Sequence, residues 1–218
     1  MNVDLPDFWS YENGWYQDAP ISRISKLIAH YELYKEIVAI PGDIVELGVY
    51  KGTSLIRFAT FRQILENDFS RKIHGFDVFG SFPRTHLDLV SDINFVSDFE
   101  KQGGPGLDSQ KLNSILINKG FKNISLHEGN ILNSLETFLG KEPQTRIALL
   151  HLDLDVFVPT DFALNLLYER VVPGGLILFD DFNFVEGATL AIENFCRLKD
   201  LKLIKTQYYA SPSYIRKP

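Results

Sequence analysis

Glu46-Leu47-Gly48-Val49-Tyr50-Lys51-Gly52-Thr53-Ser54 reads as the end of a buried strand, a glycine turn and the opening of a helix. Gly48 permits a tight turn and lets a ligand approach the backbone closely. Gly52 opens the next helix, whose free amides favour a carboxylate or a phosphate. A dinucleotide-binding turn usually carries a further glycine in the middle, which clears room for the pyrophosphate. Tyr50 fills that space, so a ligand without a pyrophosphate fits better. An ordinary strand-to-helix turn is the plain alternative, and glycine spacing does not decide between the two.

Upstream, Ile21, Ile24, Leu27, Ile28, Tyr31, Tyr34, Ile37 and Val38 recur at helical spacing and predict an amphipathic helix over 21–39, ended by Pro41-Gly42. Residues 1–20 are aromatic and read as irregular, with Phe8, Trp9, Tyr11, Trp15 and Tyr16 among Pro and Asp. Downstream, apolar runs at 43–49, 72–79, 124–127, 146–154 and 176–179 predict strands, and two short runs in 201–216 are strand-like. Helices are expected at about 53–66, 108–119, 131–139, 160–171 and 188–198, and Pro173-Gly174-Gly175 reads as a turn. Residues 81–109 read as a long irregular connection of the kind that serves as a lid. Strands apolar on both faces that alternate with helices predict an α/β fold with a parallel sheet.

Ligands of such sheets bind beyond the carboxyl ends of the strands. Four strand ends carry acids: Glu46, Asp77, Asp153 and Asp180. Asp77 can accept both hydroxyls of a ribose, or simply end a strand. Gly129 gives backbone access, and Asn130 suits either an adenine edge or a helix N-cap. Asp153-x-Asp155 and Asp180-Asp181 end consecutive strands, so three or four carboxylates converge and repel. A hard divalent cation such as Mg²⁺, Mn²⁺ or Ca²⁺ relieves this, with Asp153, Asp180 and Asp181 as its ligands. Asp155 and Asp181 turning outward is the alternative. His151 shares a strand face with Asp153 and reads as a proton acceptor near the site or as a packed histidine. His30, His74, His86 and His127 show no ligand spacing, and Cys196 reads as core.

The chain of 218 residues suits a single domain, with 1–40 as an N-terminal helical and aromatic cap. Hydrophobic residues make up 45% and charged residues 23%, as in an ordinary soluble protein. No signal peptide and no apolar run of membrane length is read, and one cysteine allows no internal disulfide, so a cytoplasmic protein is expected. A net charge of −6 argues against a nucleic-acid backbone as partner and suits a small ligand or a carboxylate-held metal.

The turn ELGVYKGTS and the later spacing of Asp153 and Asp180-Asp181 resemble cation-dependent O-methyltransferases of the catechol type. The stretches PGDIVELGVYKGTSL, HLDLDVFVPT and VPGGLILFDDF are still more similar to the macrocin O-methyltransferase family, over about residues 20–200. That resemblance implies a class I methyltransferase (Rossmann-like) fold: a seven-stranded, mainly parallel sheet, its last strand antiparallel, with helices on both faces. It implies S-adenosylmethionine near Glu46, Gly48, Tyr50, Gly52, Ser54, Asp77, Gly129 and Asn130, and Mg²⁺ or Mn²⁺ on Asp153, Asp180 and Asp181. It implies methyl transfer to a sugar hydroxyl, on a deoxysugar, glycoside or nucleotide-sugar, with Asp153 or His151 taking the proton. Members often assemble, so a homo-oligomer is expected. Two departures stand out: Val156 occupies the place of the catechol-type lysine, and Phe157-Val158-Pro159-Thr160 replaces a Tyr-Glu-Ser-Thr-like stretch. A catechol-like acceptor, a haloacid-type phosphatase read from DLDVFVPT, and a non-catalytic binding protein stay open as other readings.

Overall fold

The structure is a computed structural model, and it describes residues 7–208 and 212–218. Seven strands form one sheet in the order β3-β2-β1-β4-β5-β7-β6. They are β1 Asp43–Leu47, β2 Ile73–Asp77, β3 Ile124–Glu128, β4 Ile147–Leu152, β5 Val171–Phe179, β6 Ile204–Lys205 and β7 Ser213–Arg216. The first five pair in parallel, and β7 runs antiparallel to both β5 and β6. The chain starts in the middle, winds out to β3, then returns to β4. This places the switch point between β1 and β4, where ligands of doubly wound sheets bind.

The period of two along the strands divides the core into two layers. Val45, Leu47, Leu150, Leu152, Ile177 and Phe179 face helices α6 (Ile131–Lys141), α7 (Phe157–Leu167) and α8 (Glu186–Lys199). Ile44, Leu149, Leu176 and Leu178 face α2 (Ile21–Ile37), α3 (Thr53–Leu65) and α5 (Ser109–Asn118). Arg71, itself buried, ties the first of these connections. Its guanidinium donates to the carbonyls of Ile37, Ile40 and Gly42 and to Glu66, so the end of α2 and the start of β1 share one clamp.

Three expectations fail. Within 1–20, Phe8–Asp18 is a helix, α1, with Asp7 as its cap; Asp7 Oδ1 accepts from Ser10 N at 3.2 Å. None of its residues is buried, so no apolar stripe marks it in the sequence. Residues 1–6 lie outside the described residues. Within 81–109, Val90–Gly103 is a helix, α4, docked on α8. Its buried Asp92 accepts from Phe157 N at 2.9 Å, which fixes α4 to the start of α7. The centre of the segment is therefore a packed helix, while 81–89 and 104–108 are irregular. Finally, α7 ends at Leu167, a short 3-10 turn covers Tyr168–Arg170, and Pro173-Gly174-Gly175 lies inside β5, which bulges against β4 there. Among the described residues no helix is long and apolar enough to cross a membrane.

His127 of β3 carries an acid-sensitive contribution. Its Nε2 lies 3.0 Å from Nδ1 of His74, and both rings pack on Phe138. Burial first, then His74 and Lys72, lower His127 from 6.5 to about 4; Glu142 opposes this and Lys141 adds to it. Between those values the unfolded chain binds the extra proton, so stability is full above the unfolded value and is lost as pH falls towards about 4. Discounting for partial solvent exposure, the loss is about 1–2 kcal/mol. Urea unfolding at pH 7.5 and pH 5 should show a smaller acid loss in His127→Gln than in the native chain.

Candidate active site

Above the carboxyl ends of the sheet lies a cavity of about 760 Å³. Gly48 forms its floor. Its φ is +87°, and its N–H donates to Phe76 O at 2.9 Å. Asp153 crosses directly over it: an added Cβ would lie 1.7 Å from the Asp153 carbonyl oxygen, so only glycine fits. Tyr50, also left-handed at φ +52°, donates its N–H to Asp77 Oδ2 at 2.8 Å. Its hydroxyl donates to Gly103 O at 2.6 Å and its ring packs on Phe99, so the glycine turn and α4 are latched together. Phe79 N donates to the other oxygen of Asp77 at 2.7 Å. Asp77 lines the cavity and is thus oriented by the backbone, with further accepting capacity left on each oxygen. Gly129 N donates to Asp77 O at 2.9 Å, and Asn130 caps α6 by accepting from Leu132 N at 3.0 Å. Asn130 Nδ2 donates to Thr85 Oγ1.

Two residues expected at the ligand sit behind it. Gly52 caps α3 at φ +82°, a left-handed backbone that favours glycine, and a Cβ there would press on Leu112 Cδ1 of α5 at 2.5 Å. Glu46 is not at the strand end but one residue inside β1, fully buried, where it accepts from Ser54 Oγ. Ser54 itself lines the cavity, as do Gly48, Tyr50, Asp77, Gly129 and Asn130.

The acids converge, but in a different grouping from the expected one. Asp153, Asp155 and Asp181 bring carboxylate oxygens within 4.8 Å of one another. Asp155 turns inward through a left-handed backbone, φ +62°, and its N–H donates to Asp181 Oδ2 at 2.9 Å. Burial first, then mutual repulsion, hold all three carboxyls well above the usual range. Asp180 instead meets Lys26 of α2 in an ion pair. Burial would raise Asp180, but His151 and Lys26 outweigh it and hold it low. Lys26 is correspondingly raised against its own burial, by Asp180, Asp153 and Asp181.

His151 does not reach the cavity. The sheet's period turns it to the α2/α3 side beside Glu46, its register partner on β1. It is fully buried, with Nδ1 3.8 Å from Glu46 Oε1 and Nε2 3.8 Å from Asp180 Oδ1. Burial opposes its charge, yet Asp180 and Glu46 raise it to about 10. His151 is a support behind Asp180, and direct contact with a substrate hydroxyl is closed to it. Asp153 escapes that fate because it lies past the end of β4, where the chain rises into the cavity.

The donor set suits a hard divalent cation. Asp153, Asp155 and the buried Asp181 bring their carboxylate oxygens together, while Asp180 Oδ1, which has no hydrogen-bond partner among the described residues, falls in a neighbouring group with His30 and His151. Oxygen-only ligands of this charge match Mg²⁺ or Mn²⁺. Lys26, Arg23 and Arg57 also line the cavity and went unnoticed in the sequence. Arg23 and Lys26, spaced i and i+3, put two cations on the cavity side of α2, whereas His30, one turn further on, is buried against Phe58 and His151.

Residues 22–208 match the macrocin-O-methyltransferase (TylF) family. The 8-demethyl-8-(2,3-dimethoxy-alpha-L-rhamnosyl)-tetracenomycin-C 4'-O-methyltransferase of Streptomyces olivaceus is 26% identical over 148 residues, which is 66% of this chain and 54% of that protein. The match thus spans about half the length of this relative. Among solved structures, the calicheamicin methyltransferase CalS11 superposes with a TM-score of 0.71 at 23% identity, over 99% of this chain and 87% of its own. The O-methyltransferase NovP superposes with a TM-score of 0.77 at 19% identity, over 89% of this chain and 80% of its own. These likenesses identify the sheet and its helices as the class I methyltransferase fold. With the family match running through α2, the glycine turn and both acid pairs, the chain belongs to the macrocin-O-methyltransferase family.

Proposed function

We propose that this chain is an S-adenosylmethionine-dependent O-methyltransferase that acts on a sugar hydroxyl with Mg²⁺ or Mn²⁺ bound at its acid cluster. One observation carries the reading: a single cavity joins the Gly48–Tyr50 turn, Asp77 and Asn130 at one end to Asp153, Asp155, Asp180 and Asp181 at the other. A nucleoside donor and a cation-held hydroxyl therefore meet in one space. The tetracenomycin relative is named for a rhamnosyl acceptor, which favours a deoxysugar here.

Asp77 offers its remaining lone pairs to ribose hydroxyls, and Asn130 borders the base. The first turn of α3 has no side-chain cap, so its amides are open to the donor's carboxylate. Asp153, Asp155 and Asp181 would hold the cation, with Asp180 oriented beside them by Lys26 and His151. When bound, the sulfonium donor supplies an electrophilic methyl group and the cation supplies Lewis acidity towards a hydroxyl. A carboxylate of the cluster, Asp153 or its neighbour Asp155, accepts the hydroxyl proton, since both line the cavity. No covalent step on the protein is needed, so alignment and exclusion of water by Trp15, Pro20 and Phe82 at the walls do the remaining work.

Thermal unfolding tests this. S-adenosylhomocysteine at about a hundred times its dissociation constant should stabilise the chain by about 2.7 kcal/mol. Mg²⁺ should add a further shift that Asp181→Ala lacks. No shift with S-adenosylhomocysteine overturns the proposal.

A further inference from the structure

The cavity has a basic wall that neither donor nor cation accounts for. Arg23 of α2 and Arg57 of α3 both line it. Lys26, one turn along α2 from Arg23, is occupied by Asp180, whereas neither guanidinium has a carboxylate within 4.0 Å or a hydrogen bond among the described residues. Arg57 is no solvated surface residue: it is half-buried, and burial first, then the nearby Arg23, disfavour its charge, which the more distant Asp180 and Glu46 only partly offset. Half-burying a guanidinium next to another with no carboxylate in contact is unfavourable, unless a ligand completes the site.

The wall also has a side. α2 packs on α3, β4 and β5, the half of the sheet that carries the acids, while Asp77, Gly129 and Asn130 stand at the ends of β2 and β3. In a chain of net charge −6 with four carboxylates at the site, an anionic acceptor would be repelled unless a local positive surface received it. Two guanidinium groups form the fork that recognises phosphate or pyrophosphate by paired hydrogen bonds.

We propose that Arg23 and Arg57 form an anion subsite for the acceptor, so that the sugar is presented as a phosphate- or diphosphate-linked derivative rather than as a neutral glycoside. The proposal rests on the methyltransferase reading for the word acceptor. The alternative source of the anion is the carboxylate of the donor itself, and the test separates the two.

The test is calorimetric titration of the full, metal-free chain with inorganic pyrophosphate, alone and after saturation with S-adenosylhomocysteine. Pyrophosphate should bind equally well in both cases. Arg57→Gln and Arg23→Gln should each weaken it by about tenfold, while leaving S-adenosylhomocysteine affinity within about twofold of native. Arg23 is exposed on α2, so its variant keeps the test valid if Arg57→Gln fails to fold. Absence of pyrophosphate binding, or binding unchanged in the arginine variants, overturns the subsite. S-adenosylhomocysteine weakened as much as pyrophosphate, or pyrophosphate excluded by it, assigns the pair to the donor carboxylate and overturns the proposal as well. A native chain that binds pyrophosphate through these arginines but not S-adenosylhomocysteine keeps the anion site and contradicts the methyltransferase reading instead.

Discussion

Gly48→Ala should cost at least about 3 kcal/mol of stability and abolish binding of S-adenosylhomocysteine. Two penalties add. A residue with a Cβ is strained at φ +87°, by about 1–3 kcal/mol. The added carbon would also lie 1.7 Å from Asp153 O and 2.7 Å from its carbonyl carbon. That obstacle is backbone, and it cannot step aside: Asp153 N donates to Leu47 O at 2.9 Å, so the ladder of β1 and β4 holds it down. Any relief must move the glycine turn or the first acid of the cluster. For a chain of this length the midpoint of thermal unfolding should fall by roughly 10 °C. Gly14→Ala is the control. It lies in α1 with nothing within 4 Å of its Cβ, so the same substitution should leave stability unchanged or slightly raised.

Asp153→Asn should reduce turnover by about a thousandfold or more while S-adenosylhomocysteine affinity changes by less than about twofold; oriented charge at a reacting centre commonly contributes effects of this size. The substitution keeps the shape of the side chain and removes one of three clustered carboxylates that repel one another. Without added metal the variant should therefore be more stable than the native chain, by about 1 kcal/mol. Mg²⁺ should stabilise the native chain and not the variant. Lost activity with gained apo stability is the signature of a site that stores repulsion for a ligand. A cluster kept only for folding would instead lose stability when one member is neutralised.

The sheet was legible because its strands are short apolar runs between glycine, proline and acid. Runs such as Ile44-Val45 and Leu176–Phe179 admit few other readings. The two helices that escaped notice lack the feature that period counting needs. α1 buries nothing, and in α4 only Asp92 and Val96 are buried, so neither shows a sustained apolar stripe. The Gly103–Gly106 cluster then drew all of 81–109 into a loop reading. In the site, the acids after β4 and β5 were visible because strand ends share one edge. Which acid joins which was not visible. The left-handed backbone at Asp155 brings that residue inward, and the pull of Lys26 takes Asp180 aside; both depend on three-dimensional neighbours. Alternation along β4 would put His151 and Asp153 on one face, but the histidine sits beside Glu46 inside the sheet, while Asp153 lies past the strand and no longer obeys the alternation.

The most direct test is transfer of a labelled methyl group from S-adenosylmethionine to a phosphate-linked deoxysugar, measured with Mg²⁺, after treatment with a chelator, and after Mg²⁺ is restored. The account predicts label in a methyl ether on the sugar, lost with the chelator and recovered with the metal. Transfer that persists undiminished in chelator would contradict the role given to Asp153, Asp155 and Asp181. Absence of transfer, with phosphate released from a simple phosphate ester instead, would contradict the methyltransferase reading itself.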